Sequence, residues 1–485
     1  TFNTLIGGLT GDAITTGHHN IAIGYNALST EDGNGYNIAI GSYALIAQNA
    51  GVDAYNIAIG YNAGSNILTG TYNTILGAYA GDALTTGSRN IAIGYQTLSA
   101  EDAHGRNVAI GHKALAVQDA GADAYNVAIG YQAGISVSTG YENTLIGGLA
   151  GDALTTALGN TALGMKALST DTTGRYNVAI GHGTLENQSF AGSEGVYNVA
   201  VGYAAGNLIS TGIYNTLVGG VAGDALTTGS DNVAVGVQAL GSESTHGRNV
   251  AIGRSALENQ NAGADAYNIA VGYNAGLSVS TGTKNIIIGG LAGDALTTGA
   301  NNVAIGHQAL SAEDGDGYNV AVGTYALSAQ NAGANAYNTA IGYDAGGSVS
   351  TGANNTIVGG QAGNALTTGA NNTVIGKNAM TSADGSESQN VAIGVNALED
   401  MNSDENNQNV AIGYRTMSNL TTGAQNTAVG NEAIGDGVAT GDYNVALGGF
   451  AGKTLTSGFY NTIVGGLAGD ALTTGVRNVA IGFVA

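Results

Sequence analysis

The sequence predicts an all-β fold, a parallel β-roll or β-solenoid of about 28 coils. The first observation is a repeat: Asn, three mostly apolar residues and Gly recur along the whole chain, at intervals of about 17 residues with a minority of longer ones. The second is composition, because 82 glycines without proline or cysteine argue against both collagen and a disulfide scaffold. The third is residue type: β-branched residues followed by Gly favour short strands between turns over helices.

Each part of the repeat has a predicted role. The Asn stands at a fixed turn and is expected to form a hydrogen-bonded ladder between coils, while the Gly supplies the positive φ of a corner. The third residue after the Asn is always Ile, Val or Leu, and burial of these columns would give the solenoid its core. Aliphatic residues near the third and eighth positions favour two strands per coil. Representative structural pairs are Asn3 and Gly7, Asn20 and Gly24, Asn37 and Gly41, Asn143 and Gly147, and Asn302 and Gly306.

A longer period of about 70 residues is superimposed on the coils. A glycine-rich form of the repeat begins at Asn3, Asn73, Asn143, Asn215, Asn285 and Asn355, so four coils make one super-repeat. No linker interrupts the series, which predicts a single continuous array over residues 1–485 and a segment of a longer fibre. Because a bare strand edge invites aggregation, we expect flanking domains or end-to-end assembly.

The second residue after the Asn is usually Ala, as at Ala22, Ala39, Ala58 and Ala92. Successive side chains of a strand point to opposite faces, so this Ala column lies opposite the first and third residues. Ala allows another surface to approach closely. We therefore expect the Ala column to contact a partner subunit, and a homotrimer fits this arrangement best.

Charge and acid distribution argue against several classes of function. The formal net charge of −22 would repel nucleic acid and anionic lipid. Apolar runs fall short of the roughly 20 residues that a membrane helix needs, so we expect no membrane insertion. The acids recur along the chain instead of clustering, and we predict no enzymatic activity and no catalytic or cofactor-binding residues.

Histidine and aspartate are the residue types that could bind a metal. Motifs such as His-Glu-x-x-His are missing from the sequence, and we expect the seven histidines to be solvated turn residues: His18, His19, His104, His112, His182, His246 and His307. The Asp of a Gly-Asp-Ala sequence recurs at Asp12, Asp82, Asp152, Asp224, Asp294 and Asp470. The regular copies lie four coils apart, too far to share one ion, and a turn role is expected for them. Structural Ca²⁺ is the alternative.

Tyrosine offers the more interesting candidates for binding. Twelve of the 24 tyrosines directly precede the repeat Asn, and eight follow its Gly. Exposed rings could stack on the sugars of a surface polysaccharide, and Tyr25, Tyr61, Tyr131 and Tyr273 are the candidate contacts. Alternatively, the rings cover the corners and bond through their hydroxyls. The longer third coils of the super-repeats, including residues 118–125 and 259–267, add loops on which binding residues could lie.

The Asn-Val-Ala-Ile-Gly repeats at 107–111, 249–253 and 302–306 resemble those of the head domains of trimeric autotransporter adhesins. Residues 143–156, NTLIGGLAGDALTT, are more similar to arrays in putative tail fibres of bacteriophages and related bacterial surface proteins. The resemblance covers the whole chain and implies an extracellular structural fibre that binds a host polysaccharide or protein receptor. We expect a tail fibre, with a bacterial adhesin or extracellular filament as the alternative. An ice-binding solenoid is a third candidate, although its Thr-Thr-Gly motif recurs mainly once per four coils.

Overall fold

The computed structural model describes residues 2–192, 194–315, 317–383, 385–403, 406–437 and 439–485. Within these ranges the regular elements are 28 strands of three residues, one for each coil. No helix in the described ranges has the length and apolar character needed to cross a membrane. The chain forms two compact units, Thr1–Thr245 and His246–Ala485, and each is described by itself.

Unit 1 carries fourteen strands, and each pairs in parallel with the next along the chain, with repeat positions in register. Fourteen strands at a spacing of about 4.8 Å give this sheet a length of roughly 60 Å. The strands are β1 (Thr4–Ile6), β2 (Ile21–Ile23), β3 (Ile38–Ile40), β4 (Ile57–Ile59), β5 (Thr74–Leu76), β6 (Ile91–Ile93), β7 (Val108–Ile110), β8 (Val127–Ile129), β9 (Thr144–Ile146), β10 (Thr161–Leu163), β11 (Val178–Ile180), β12 (Val199–Val201), β13 (Thr216–Val218) and β14 (Val233–Val235).

Unit 2 repeats the arrangement with fourteen further parallel strands in register. The all-β, parallel solenoid fold with about 28 coils is therefore confirmed. The strands are β15 (Val250–Ile252), β16 (Ile269–Val271), β17 (Ile286–Ile288), β18 (Val303–Ile305), β19 (Val320–Val322), β20 (Thr339–Ile341), β21 (Thr356–Val358), β22 (Thr373–Ile375), β23 (Val391–Ile393), β24 (Val410–Ile412), β25 (Thr427–Val429), β26 (Val445–Leu447), β27 (Thr462–Val464) and β28 (Val479–Ile481).

The prediction of two strands per coil is wrong, because the second side of each coil is a series of turns. The sixth and eighth residues after the Asn adopt left-handed backbone even when they carry side chains, as at Asn26 (φ 55°) and Leu28 (φ 50°). A strand cannot contain that conformation. Backbone hydrogen bonds still join the coils there, for example from Leu28 N–H to the Ala44 carbonyl at 3.0 Å.

The repeat Asn side chains form a buried chain of hydrogen bonds from coil to coil. The N–H of Asn37 donates to Oδ1 of Asn20 at 2.9 Å, and that of Asn20 donates to Oδ1 of Asn3 at 2.9 Å. The Asn20 Nδ2 donates to the Asn34 carbonyl at 3.0 Å, which fastens the far end of the coil. The same contacts recur at Asn143 and at Asn302, which donate to the preceding Asn at 2.8 and 2.9 Å. Buried amides that satisfy one another in this way fix the register of the coils.

The repeat Gly occupies a corner that no other residue fits. Gly147 has φ of +136°, and a Cβ placed on it would lie 2.4 Å from the Gly164 carbonyl oxygen of the next coil. Gly7, Gly24, Gly41 and Gly306 share this conformation, with φ between +129° and +138°. In these coils the obstacle is the backbone of the next coil, so it cannot move aside.

The Ala column faces the interior of each unit, which corrects the predicted outward Ala face. Ala22, Ala39, Ala58 and Ala92 are completely buried, whereas the Ile residues on either side of each are half-exposed or exposed. The Ile and Val columns expected inside therefore lie largely outside. The reason is packing: in a coil such as that of Ala22, the buried side chain of Leu28 at the eighth position fills the interior beside the methyl group. A trimer contact through the Ala column is excluded.

The core of each coil is completed by the eleventh residue after the Asn, a position named here the inner column. It holds Leu84, Leu154 and Leu226 in some coils, but Gln48, Gln118, Glu31, Glu101 or Asp171 in others, and all of these are fully buried. The coils of Leu84, Leu154 and Leu226 carry a large second residue and Gly at the eighth position. Coils with a polar inner residue carry Ala at the second position and Leu at the eighth. Side-chain volume is therefore similar in these two kinds of coil although its distribution differs, whereas the coil that begins at Asn56 combines Ala58 and Gly64 with Ile67 and has less side-chain volume.

Candidate interaction face

The exposed surface of the sheet consists of the first and third residues of every strand, and we call it the strand face. Its residues are mostly Ile, Val and Thr, and Ile57, Ile91 and Ile269 are 36 to 39% exposed. They project outward because the second residue must point inward. The result is a regular and largely apolar surface in each unit.

A row of aromatic rings runs along the C-terminal ends of the strands in unit 1, and we call it the post-strand row. Seven consecutive coils each contribute one ring, from the fifth or sixth residue after the Asn. Neighbouring centroids lie 5.3 to 6.1 Å apart. Such contacts add about 0.5–1.5 kcal/mol per pair beyond the area that is buried. The rings belong to Tyr25, Tyr43, Tyr61, Tyr79, Tyr95, His112 and Tyr131.

A second row, the pre-strand row, is formed by the residues directly before the repeat Asn. Five consecutive rings stack with centroid distances of 4.8 to 5.3 Å: Phe2, His19, Tyr36, Tyr55 and Tyr72. Arg89 continues the row with its guanidinium 5.8 Å from the Tyr72 ring. In unit 2 the row has shorter aromatic parts, such as Tyr318 with Tyr337 and Tyr443 with Tyr460. Left-handed backbone at these positions turns the rings outward.

The four tyrosines selected from the sequence are all exposed, by 45 to 56%. The structure brings Tyr25, Tyr61 and Tyr131 into the post-strand row of unit 1, while Tyr273 occupies the equivalent position in unit 2. Sequence reasoning identified the tyrosines that follow the repeat Gly as rings that could stack on sugars. It missed that the rings at the fifth and sixth positions join in one row, and the signal was available as an aromatic in seven successive coils.

Two shallow clefts lie beside tyrosines of the pre-strand row. A cleft of about 260 Å³ in unit 1 is lined by Ala120, Asp123, Tyr125, Thr139, Tyr141 and Glu142, and it includes part of the predicted loop 118–125. The loop is anchored because Asp123 Oδ1 accepts the Gly105 N–H at 3.1 Å and Asp123 pairs with Arg106. A cleft of about 290 Å³ in unit 2 is lined by Asp442, Tyr443, Phe459 and Tyr460. Aromatic rings and carboxylates lie together in both clefts.

The Asp residues of the Gly-Asp-Ala sequences lie in the turn after the strand. Burial raises the pKa of Asp82, Asp152, Asp224 and Asp294. One oxygen of Asp82, Asp152 and Asp294 is enclosed without a hydrogen-bond partner. The copies are four coils apart, about 19 Å at the strand spacing, so the structure does not bring them together in a shared site.

Buried acids in the inner column are a feature that sequence reasoning missed. Glu31 and Glu101 are fully buried, and their Oε1 atoms accept the backbone N–H of Asn34 and His104 at 3.0 and 3.2 Å. Burial raises the pKa of Glu31 and raises that of Glu101 to about 7. A signal existed, since such an acid recurs once per super-repeat and a Gln stands one coil later. That spacing alone does not tell an inward side chain from an outward one.

Comparison with known protein families and with curated proteins returned no match. A function for this chain therefore has to be argued from its own residues.

Proposed function

We propose that this chain is a segment of an extracellular structural fibre that adheres to a host or partner surface. The observation that carries the proposal is the unbroken post-strand row of seven rings along unit 1. An apolar strand face and two aromatic rows repeat at the strand spacing, so weak contacts can add along the solenoid. The repeats resemble those of bacteriophage tail fibres, which we propose as the source. A bacterial adhesin or extracellular filament would also bind through many weak contacts that add along the solenoid.

The chemistry of the surface favours a carbohydrate ligand. Tyrosine rings stack on the apolar faces of sugars while their hydroxyls donate hydrogen bonds. The cleft at Asp123, Tyr125, Tyr141 and Glu142 adds acceptors for sugar hydroxyls beside two rings. A net charge of −22 favours neutral or cationic glycans over strongly anionic ones.

Binding to bacterial surface polysaccharide tests this proposal. The fluorescently labelled chain would be applied to an array of neutral and anionic bacterial polysaccharides, together with the variants Tyr125→Ala/Tyr141→Ala and Tyr61→Ala. We expect retention on neutral glycans and at least a tenfold loss in the cleft variant, with a smaller loss for Tyr61→Ala. Val52→Ala, at a position that is exposed outside the rows, serves as the control. Equal binding by all variants, or none on any glycan, would contradict the proposal.

We also propose that copies of the chain associate through the strand face, in a homotrimer. Because the Ala column is buried, the strand face is the regular apolar surface left for a partner. Three strand residues extend about 10 Å, so the strand face of one unit covers roughly 60 by 10 Å, and both units have to contribute to reach the ~800 Å² per partner of a standard interface while the aromatic rows stay free.

Sedimentation velocity tests the association. A homotrimer would sediment as an elongated species of three times the chain mass of 47.7 kDa. Ile57→Lys/Ile91→Lys should release monomers, because two charges would be buried in the apolar contact. Val52→Lys places the same charge on an exposed loop and should leave the trimer intact. A monomeric wild-type chain would contradict the proposed association. The adhesive role would not be affected, because the glycan experiment tests it separately.

A further inference from the structure

A cluster of three acids and one histidine lies in unit 1, where two coils meet at their loops. Glu101, Asp102 and His104 belong to the coil that begins at Asn90, and Asp119 belongs to the following coil. One ligand-capable atom from each lies within 4.8 Å of all the others. The donor set is three carboxylates and one imidazole.

The imidazole is placed as a ligand would be. His104 Nδ1 is enclosed and has no hydrogen-bond partner, although the side chain is 30% exposed, and it lies 3.8 Å from Glu101 Oε1. A buried ring nitrogen without a partner is costly unless something occupies its lone pair. The Glu101 carboxyl beside it is fully buried, and its Oε2 meets only the Asn107 Nδ2 at 3.5 Å.

The charge balance of the cluster also calls for a cation. Three carboxylates, of Glu101, Asp102 and Asp119, meet in the cluster, and Arg106 of the same segment is paired with Asp123. Zn²⁺ with nitrogen and oxygen ligands at about 2.0–2.2 Å holds them roughly 3.4 Å apart. Side-chain rotation of the exposed Asp102 and Asp119 closes the remaining distance.

We propose that Glu101, Asp102, His104 and Asp119 bind one divalent transition-metal ion of the Zn²⁺ class. The imidazole nitrogen distinguishes this set from a Ca²⁺ site, which takes oxygen ligands alone. Because Asp119 comes from the next coil, the ion would fasten two coils together. This inference does not rest on the proposed adhesive function.

The chain contains its own matched control. The equivalent residues in the first super-repeat are Glu31, Asp32, Asn34 and Asn49. The backbone is alike, since Asn34 N–H donates to Glu31 Oε1 as His104 N–H donates to Glu101 Oε1. The amides of Asn34 and Asn49 replace the imidazole of His104 and the carboxylate of Asp119. We therefore expect no metal binding at this position of the first super-repeat.

Equilibrium dialysis of the chelator-treated full chain against Zn²⁺ tests the site. We expect one Zn²⁺ per chain, a loss of at least 100-fold in affinity for His104→Asn/Asp119→Asn, and no displacement by a tenfold excess of Ca²⁺. Zn²⁺ should also raise the melting temperature of the wild-type chain by a few degrees but not that of the double variant. Circular dichroism verifies that the variants fold.

The reverse substitution makes the test sharper. Asn34→His/Asn49→Asp should raise the stoichiometry from one to two, because it rebuilds the cluster in the first super-repeat. Zn²⁺ bound equally by wild type and His104→Asn/Asp119→Asn would mean adsorption to surface acids and would overturn the proposal. Absence of Zn²⁺ binding, or equal displacement by Ca²⁺, would overturn it as well.

Discussion

Two neighbouring coils of unit 1 solve the problem of a narrow core in different ways. The coil that begins at Asn143 fills its interior with Leu145 and Leu154 and leaves Gly151 between them. The coil that begins at Asn160 has Ala162, Leu168 and the acid Asp171 at the same three positions, all fully buried. Their strands pair in register, so the backbone is common to both. These two coils show that one backbone accepts an apolar or a polar interior of similar side-chain volume, and we call this compensation the volume rule.

The polar coil is tolerated because its acid is surrounded by donors. Asp171 Oδ1 accepts the Gly174 N–H at 3.0 Å, and Oδ2 accepts from Gln188 Nε2 at 2.6 Å. Gln188 in turn accepts from Asn198 Nδ2 at 2.9 Å, which links the acid to the Asn ladder. Such a network stabilises the core only while every member keeps its partner.

The largest loss of stability is expected for Leu154→Asp, which moves the acid into the apolar coil. We expect a loss of more than about 4 kcal/mol, because a leucine's burial is lost and the new carboxylate faces Val137 and Asp171 instead of a glutamine. Urea unfolding measures the change. Leu154→Ala removes the side chain without adding charge and should cost clearly less, and equal costs would show that polarity is unimportant here.

The volume rule is tested by exchanging the large residue between positions. A Cβ on Gly151 would lie 2.7 Å from Leu154 Cδ1 and 2.8 Å from Leu145 Cδ2. Gly151→Leu alone should therefore cost about 2–3 kcal/mol by overpacking, and Leu145→Ala alone a similar amount through a cavity. The double variant copies the neighbouring coil and should cost less than the sum, by about 1 kcal/mol or more. Additive costs in urea unfolding would contradict the rule.

The pH dependence of stability distinguishes coils with an acid in the inner column from coils with an amide there. Burial raises the pKa of Glu31 above its ordinary value of 4.5, and its Oε2 has no hydrogen-bond partner. A raised folded-state pKa gives stability that is complete below the unfolded pKa and is lost as the pH rises through the folded value. Glu31→Gln should therefore reduce the fall in stability between pH 4 and pH 8, by about 1.4 kcal/mol for each unit of pKa change.

Gln48, in the inner column one coil further on, allows the opposite substitution, from an amide to an acid. Its Oε1 accepts from Asn56 Nδ2 at 2.8 Å, so Gln48→Glu introduces an acid at a place where an amide is satisfied. This variant should lose more stability than wild type between pH 4 and pH 8. Urea midpoints are measured at the two pH values, and identical pH profiles for all three proteins would contradict a buried, titrating Glu31.

The smallest effect is expected outside the core. Tyr55 stacks between Tyr36 and Tyr72 at 4.8 and 5.3 Å but remains exposed. Tyr55→Ala should lower stability by no more than about 1 kcal/mol, because exposed ring contacts contribute little. A loss as large as that of the core variants would mean that the aromatic rows hold the coils together.

The sequence was sufficient for the repeat, the parallel all-β fold and the number of coils, because Asn and Gly mark the same corner in every coil. Which face of the strand points inward was not predictable from alternating polarity, since Ala22 and its Ile neighbours are all apolar. The structure shows that the second position points inward whether it holds Ala, as at Ala22, or Leu, as at Leu145. The contact of His104 with Glu101 was not predictable either, because the sequence marks neither the buried carboxyl of Glu101 nor the enclosed Nδ1 of the half-buried His104.

The longer third coils absorb their extra residues at a single corner. Gly51, Gly121, Gly263 and Gly333 stand there with φ near +70°, and a Cβ on any of them would meet nothing within 4 Å. The two extra residues of such a coil leave the Asn ladder intact, because the Asn56 N–H still donates to Asn37 Oδ1 at 3.1 Å. Residues can therefore be added at this corner while the strands and the Asn hydrogen bonds between coils are kept. New peptide segments can be inserted and selected there independently, at regular distances along each unit.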